Sequence, residues 1–163
     1  MDYYGQRYQL GVIRKWGPAV KFLILTNIGI FLLQQIAGQA EAAILAYLGL
    51  TPAFFISDFA LWQLVTYMFL HGSLGHLLIN MLILYMFGVE LEDHWGTREF
   101  VKYYFLCGIG AGILHLLISM GSKVPMVGAS GAISGLMGAA FRIALPAVLD
   151  GNYRAAASIT PLT

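Results

Sequence analysis

Apolar residues gather into four long runs, roughly Val20 to Ala37, Leu64 to Val89, Phe100 to Met120 and Val124 to Leu149, with polar and charged residues collected between them. A helix needs about 17 to 25 such residues to cross the hydrocarbon core of a bilayer, so each run is long enough to span. The pattern therefore predicts an all-α, polytopic membrane helix bundle with about four transmembrane helices. Between the first two runs, Gly38 to Gln63 is too long for a tight helical hairpin, and it mixes Phe54, Phe55, Phe59, Leu61 and Trp62 with only Glu41 and Asp58 for charge. It reads equally as an aromatic belt at the outer interface and as a lid embedded in the membrane surface. Glu90, Glu92, Asp93 and His94 close the second run, and Gly96-Thr97 opens the third as a turn with Thr97 capping the next helix. Arg14 and Lys15 before the first run and Ala40-Glu41-Ala42 behind it also fit a cleavable signal peptide; the run is taken as a span.

Composition narrows the class. Hydrophobic residues make up 59% of the 163 and charged residues 10%, where soluble domains carry roughly a quarter charged. That balance excludes a soluble domain, and a net charge of +1 leaves no basic field for nucleic acid. Orientation follows from Lys and Arg: Arg7, Arg14, Lys15 and Lys21 cluster around the start of the first run, the loop 38–63 has none, Arg98 and Lys102 follow the second run, and Arg142 and Arg154 follow the fourth. The N-terminus is thus expected to be cytoplasmic, with Lys123 the one charge against this topology, and the expected setting is the plasma membrane of a bacterium. Cys107 stands alone in an apolar run as a small packing residue, which leaves no internal disulfide. His71, His76, His94 and His115 scatter over both sides of the membrane, so neither a metal nor another cofactor is expected.

Two kinds of residue in the runs carry information. Small residues crowd Gly108 to Gly112 and Gly128 to Ala140; in the second stretch Gly131 and Gly135, like Ser134 and Gly138, are four apart. They form a strip on which another backbone approaches closely, and predict that the last run is central. Polar groups need partners: His71, Ser73, His76 and Asn80 sit in otherwise apolar sequence, where a side chain facing lipid is costly, so they are expected to face the bundle interior or a water-filled cavity. His76 and Asn80, four apart, share a helix face and can aim two donors at one point, as a developing oxyanion requires. His71 is expected off that face. Gly128-Ala129-Ser130-Gly131 then places a serine at a helix start, where free N–H groups and the positive dipole end favour an oxyanion. The plainer alternative is that Ser130 only caps the helix and Gly131 only packs.

Taken together, His71-Gly-Ser-Leu-Gly-His76-Leu-Leu-Ile-Asn80 followed by Gly128-Ala-Ser130-Gly-Ala-Ile-Ser-Gly135 resembles the rhomboid family of intramembrane serine proteases. The resemblance extends through Trp62-Gln63, Phe87-Gly88, Glu92, Gly96-Thr97 and Gly108 to Gly112, and covers about Pro18 to Phe141. It implies a six-helix core of which this chain holds about four helices, and a Ser-His dyad that hydrolyses peptide bonds of transmembrane protein substrates within the lipid bilayer, without metal or cofactor. Ser130 would be the nucleophile, His76, Asn80 and the Ser130 N–H the oxyanion site, and His71 an assisting group, with Gly128 and Gly131 as motif glycines.

The match breaks off. The family's base histidine lies on its sixth span in an Ala-His context, and here the last histidine is His115, while from Arg142 onward the sequence no longer resembles the family. The chain thus divides into a rhomboid-like membrane domain, 1–141, and a divergent segment, 142–163. It is expected to be a truncated or frame-shifted form of a protease, inactive as it stands. The competing readings are a non-catalytic relative that binds transmembrane helices and a small transporter whose histidines line a polar path.

Overall fold

The computed structural model describes residues 16–149 and 151, and the regular elements among them are helices. Helix α1, Pro18–Ala37, opens on a proline at its first position, where the missing N–H costs nothing. A 3₁₀ turn, Gly38–Ala40, leads to α2, Glu41–Leu48; α3, Pro52–Asp58, and α4, Gln63–Thr66, complete the first loop, and a second 3₁₀ turn, Tyr67–Phe69, follows. Then come three longer helices: α5, Leu74–Trp95, α6, Thr97–Ile118, and α7, Ser130–Leu149. Pro18–Leu48, α5 and α6 are each long and apolar enough to cross a membrane, and α7 contributes a shorter apolar stretch, Ser130–Leu145. The predicted helical membrane bundle is thus present. The N-terminal basic residues Arg7, Arg14 and Lys15, and Arg154 near the other end, lie outside the described residues.

Two helix starts differ from the hydrophobic pattern. The second run is apolar from Leu64, yet its helix begins at Leu74, because the chain breaks at His71-Gly72-Ser73 and Ser73 caps the new helix by accepting the His76 N–H at 3.2 Å. The fourth run is apolar from Val124, yet α7 begins at Ser130. At the opposite end of α5, Thr97 is not a cap: Gly96, at φ 81°, breaks the chain and Thr97 is the first residue of α6. Its hydroxyl instead donates to Glu92 at 2.8 Å. That buried carboxylate also accepts the Ala19 and Val20 N–H groups, both at 2.9 Å, so a side chain of α5 caps α1.

The core lies between α1, α5, α6 and α7, filled by Val20, Leu23, Tyr67, Met68, Leu84, Phe100, Tyr104 and Leu136. Helix α7 packs on α5, on α6 and on the Tyr67 turn. Its small residues permit this: a side chain at Gly131 would collide with Ala111, and one at Gly135 with Cys107, so Cys107 serves as the packing residue its surroundings suggested. The other side of α7 is bare, with Ser130, Ser134, Met137, Gly138, Phe141 and Arg142 exposed. Centrality is therefore realised on one face only among the described residues. Helix α7 runs on through Leu149 with no break at residue 141.

The first loop is built rather than draped. The Trp62 indole donates to the Tyr47 carbonyl at 2.9 Å, Gln63 accepts from the Thr51 N–H and donates to the Ala46 and Tyr47 carbonyls, and the Thr66 hydroxyl donates to Leu48 at 2.6 Å. Leu50 and Met126 exchange a pair of backbone bonds, 3.0 and 2.9 Å, which ties the loop to the segment leading into α7. Phe55 packs on the core, while Phe54, Phe59, Leu61 and Trp62 remain exposed, which suits an interfacial belt and a membrane-embedded lid alike.

Candidate active site

Three chain segments meet at the loop end of the bundle. Helix α5 brings His76 and Asn80 one turn apart along one face near its start, as the spacing predicted. Gly128, just ahead of α7, comes up against them: a β-carbon there would lie 2.6 Å from His76 Cε1, 2.7 Å from Nε2 and 3.5 Å from Asn80 Nδ2. The Gly128 N–H donates to the Tyr67 carbonyl at 2.8 Å, which fixes this backbone against the Tyr67 turn. Ser130 follows two residues later as the first residue of α7. The Ile133 N–H bonds to the Ala129 carbonyl at 3.0 Å, so Ala129 holds the capping position and Ser130 is not the N-cap. Its side chain is exposed, and its N–H belongs to the first turn, where the helix supplies no acceptor.

His71 departs from its expected position off the face. Because the chain breaks before α5, His71 folds back and is fully buried, with its Nε2 3.0 Å from Asn80 Nδ2 and its ring edge-on to His76 at 5.1 Å between centroids. The Asn80 amide is a donor, so His71 Nε2 accepts and a neutral His71 carries its proton on Nδ1. One Asn80 N–H is thereby committed and the second remains for another acceptor. At Gly131, expected as a motif glycine, a β-carbon would meet Ala111 and the Tyr67 hydroxyl.

The remaining histidines make no described contact with this cluster. His94 lies in the last turn of α5, at the far end of the bundle, and His115 lies in the last turn of α6, with Nδ1 3.5 Å from the Ser119 hydroxyl of its own chain turn. Sequence reading also misses Gln34, a buried amide of α1 bonded to the His71 backbone. An amide inside an apolar run was a usable signal for it.

With this geometry in place, the comparison with known proteins is direct: the Rhomboid domain family model matches residues 58–148, more than half of the chain, and takes in all three segments of the site. The chain belongs to the rhomboid family. Rhomboid-like protease 3 of Toxoplasma gondii is 29% identical over 126 residues, which are 76% of this chain and 47% of that protein. Rhomboid protease GluP of Bacillus subtilis is 32% identical over 124 residues, 76% of this chain and 24% of that protein. The mitochondrial RHOMBOID-like protein 6 of Arabidopsis thaliana is 42% identical over 78 residues, 48% of this chain and 25% of that protein. The chain spans less than half the length of these relatives. Rhomboid membership and the apolar helices make it a multi-pass integral membrane protein of an intramembrane serine protease family.

Proposed function

We propose that this chain carries the nucleophile and oxyanion half of an intramembrane serine endopeptidase that cleaves transmembrane protein substrates. The observation behind the reading is the approach of the Gly128 backbone to His76 and Asn80, with Ser130 exposed at the start of α7. In the proposed reaction the Ser130 hydroxyl attacks the scissile carbonyl and its proton passes to a base. The carbonyl oxygen, now negative, receives hydrogen bonds from His76, the free Asn80 N–H and the Ser130 N–H, and these donors are strongest where charge develops. The intermediate collapses as the peptide C–N bond breaks and the base gives its proton to the leaving amine; water then attacks the acyl-enzyme, the same base taking its proton and returning one to the Ser130 oxygen as the acid is released.

The base is the missing part. No histidine follows His115 in the sequence, His94 lies at the far end of the bundle, and no described contact joins His115 to Ser130. We place the base on a further span, as the family resemblance does, and the chain as given, 1–163, is proposed to be inactive. The bare α7 face favours a second reading, a non-catalytic relative that binds transmembrane helices there. The proposed setting is a bacterial plasma membrane with the site on the outer side, the absence of Lys and Arg from the loop 38–63 being the supporting feature.

The test is a version of the chain continued by two spans with an Ala-His motif, assayed on a transmembrane reporter. Cleavage is expected, lost in Ser130→Ala and reduced by about ten- to a thousandfold in His76→Ala or Asn80→Ala, the usual loss for one oxyanion donor. Undiminished proteolysis by Ser130→Ala would refute the nucleophile assignment.

A further inference from the structure

Gln34 lies near the loop end of α1 and is 1% exposed, while its neighbours Leu32, Leu33 and Ile36 face outward. Its amide makes two hydrogen bonds to the backbone of a single residue. The His71 N–H donates to Oε1 at 3.1 Å, and Nε2 donates to the His71 carbonyl at 3.3 Å. His71 sits in the break between the Tyr67 turn and α5, where no helical ladder serves its N–H and C=O. Buried backbone groups must find partners, and a carboxamide, with one acceptor and one donor side by side, satisfies both at once. Held this way, His71 presents its ring to Asn80 and His76, the edge-on contact and the 3.0 Å bond being the links onward.

We propose that Gln34 is a positioning residue for Asn80 and His76, acting through His71. The proposal rests on the reading of those two side chains as oxyanion donors. Gln34 acts at one remove: its amide bonds reach only His71, and His71 fixes both the orientation of the Asn80 amide and the wall against which the His76 ring stands. The other neighbour of Gln34 is an apolar cavity of about 260 Å³ lined by Ile30, Leu33, Ile44, Leu48 and Phe69. A methionine of similar length therefore fits at position 34 without overpacking, and Gln34→Met removes the two bonds alone.

The chain as given, 1–163, in detergent micelles with its imidazoles labelled with nitrogen-15, provides the test. Gln34→Met is expected to shift the ring signals of His71 and His76 and to release His71 from a single tautomer. Gln34→Glu is expected to restore the native ring signals at low pH, where the introduced carboxyl is protonated and both accepts and donates. It should lose them as pH rises and the carboxylate faces the His71 carbonyl. Asn27→Leu is the control: Asn27 is an equally buried α1 amide whose bond, 2.8 Å to the Leu23 carbonyl, stays within its own helix. Ring signals unmoved in Gln34→Met, or moved equally by Asn27→Leu, or no pH-dependent rescue by Gln34→Glu, would each overturn the proposal. The cleavage rates of His76→Ala and Asn80→Ala test the oxyanion reading by themselves. If those rates are undiminished while the ring signals respond to Gln34, the oxyanion reading is what fails.

Discussion

Gly128 carries two constraints at once. Its φ of 112° lies where a side chain is strained, and its missing β-carbon is the space that the His76 ring occupies. Gly128→Ala must relieve both by moving the backbone or the imidazole, at a cost of about 1–3 kcal/mol for a backbone held in a sparsely populated region. Lower thermal stability together with a displaced His76 ring signal is the expected result, and a native ring signal would show that Gly128 does not approach His76 this closely. At this scale the sequence was informative where a helical period operates. His76 and Asn80 share a face because both lie inside α5. His71 was misplaced for the complementary reason: the Gly72-Ser73 break removes it from that period, and only the folded chain shows it returning onto Asn80. Ser130 was legible as a helix-start serine, but its position as first helical residue rather than cap depends on the Ala129 carbonyl, which no side-chain pattern reveals.

Elements are joined by a few polar clamps and by glycine contacts. Glu92 bridges three helices, since its carboxylate accepts from Ala19 and Val20 at the start of α1 and from Thr97 at the start of α6. A negative group at a helix N-terminus also meets the dipole favourably. Glu92→Gln keeps the shape but turns an NH₂ toward a backbone N–H, which leaves a buried donor unsatisfied. The expected loss is about 1–3 kcal/mol in thermal or denaturant unfolding in micelles, and native stability in that variant would remove Glu92 from its capping role. The small-residue strip makes a paired prediction. Gly135→Leu should disrupt the α6–α7 contact, because Cys107 fills that space, whereas Gly138→Leu meets nothing nearby and should be tolerated. Equal effects at both positions would contradict the packing described. The strip itself was readable from its four-residue spacing, but which of its glycines face a neighbour was not, because the period leaves the rotation of α7 open.

For the molecule as a whole, sidedness and silence are linked, since both follow from what lies at each end of the bundle. With Cys107→Ser as background, Phe55→Cys is expected to label only from outside and Trp95→Cys only from the cytoplasm, and the reverse pattern would invert the topology. The candidate site would then open outward, on the same side as the first loop that Leu50 and Met126 tie to it. At that end Ser130 stands on the bare face of α7 with no imidazole of this chain among its described contacts, while His71 bonds to Asn80 and stands edge-on to His76. A serine without a base loses proton abstraction and also protonation of the leaving amine, and oxyanion donors alone do not restore either step. Residues 1 to 163, expressed in membranes with a transmembrane reporter, are therefore expected to give no cleavage above the Ser130→Ala background. The exposed side of α7, from Ser134 to Phe141, is expected in addition to promote association of copies, read as concentration-dependent crosslinking in the bilayer. Cleavage that depends on Ser130 would overturn the prediction of silence. It would also make His115 the next residue to change: it lies one turn beyond Ala111 on the α6 stripe that meets α7, the nearest register from which another imidazole could reach the start of that helix.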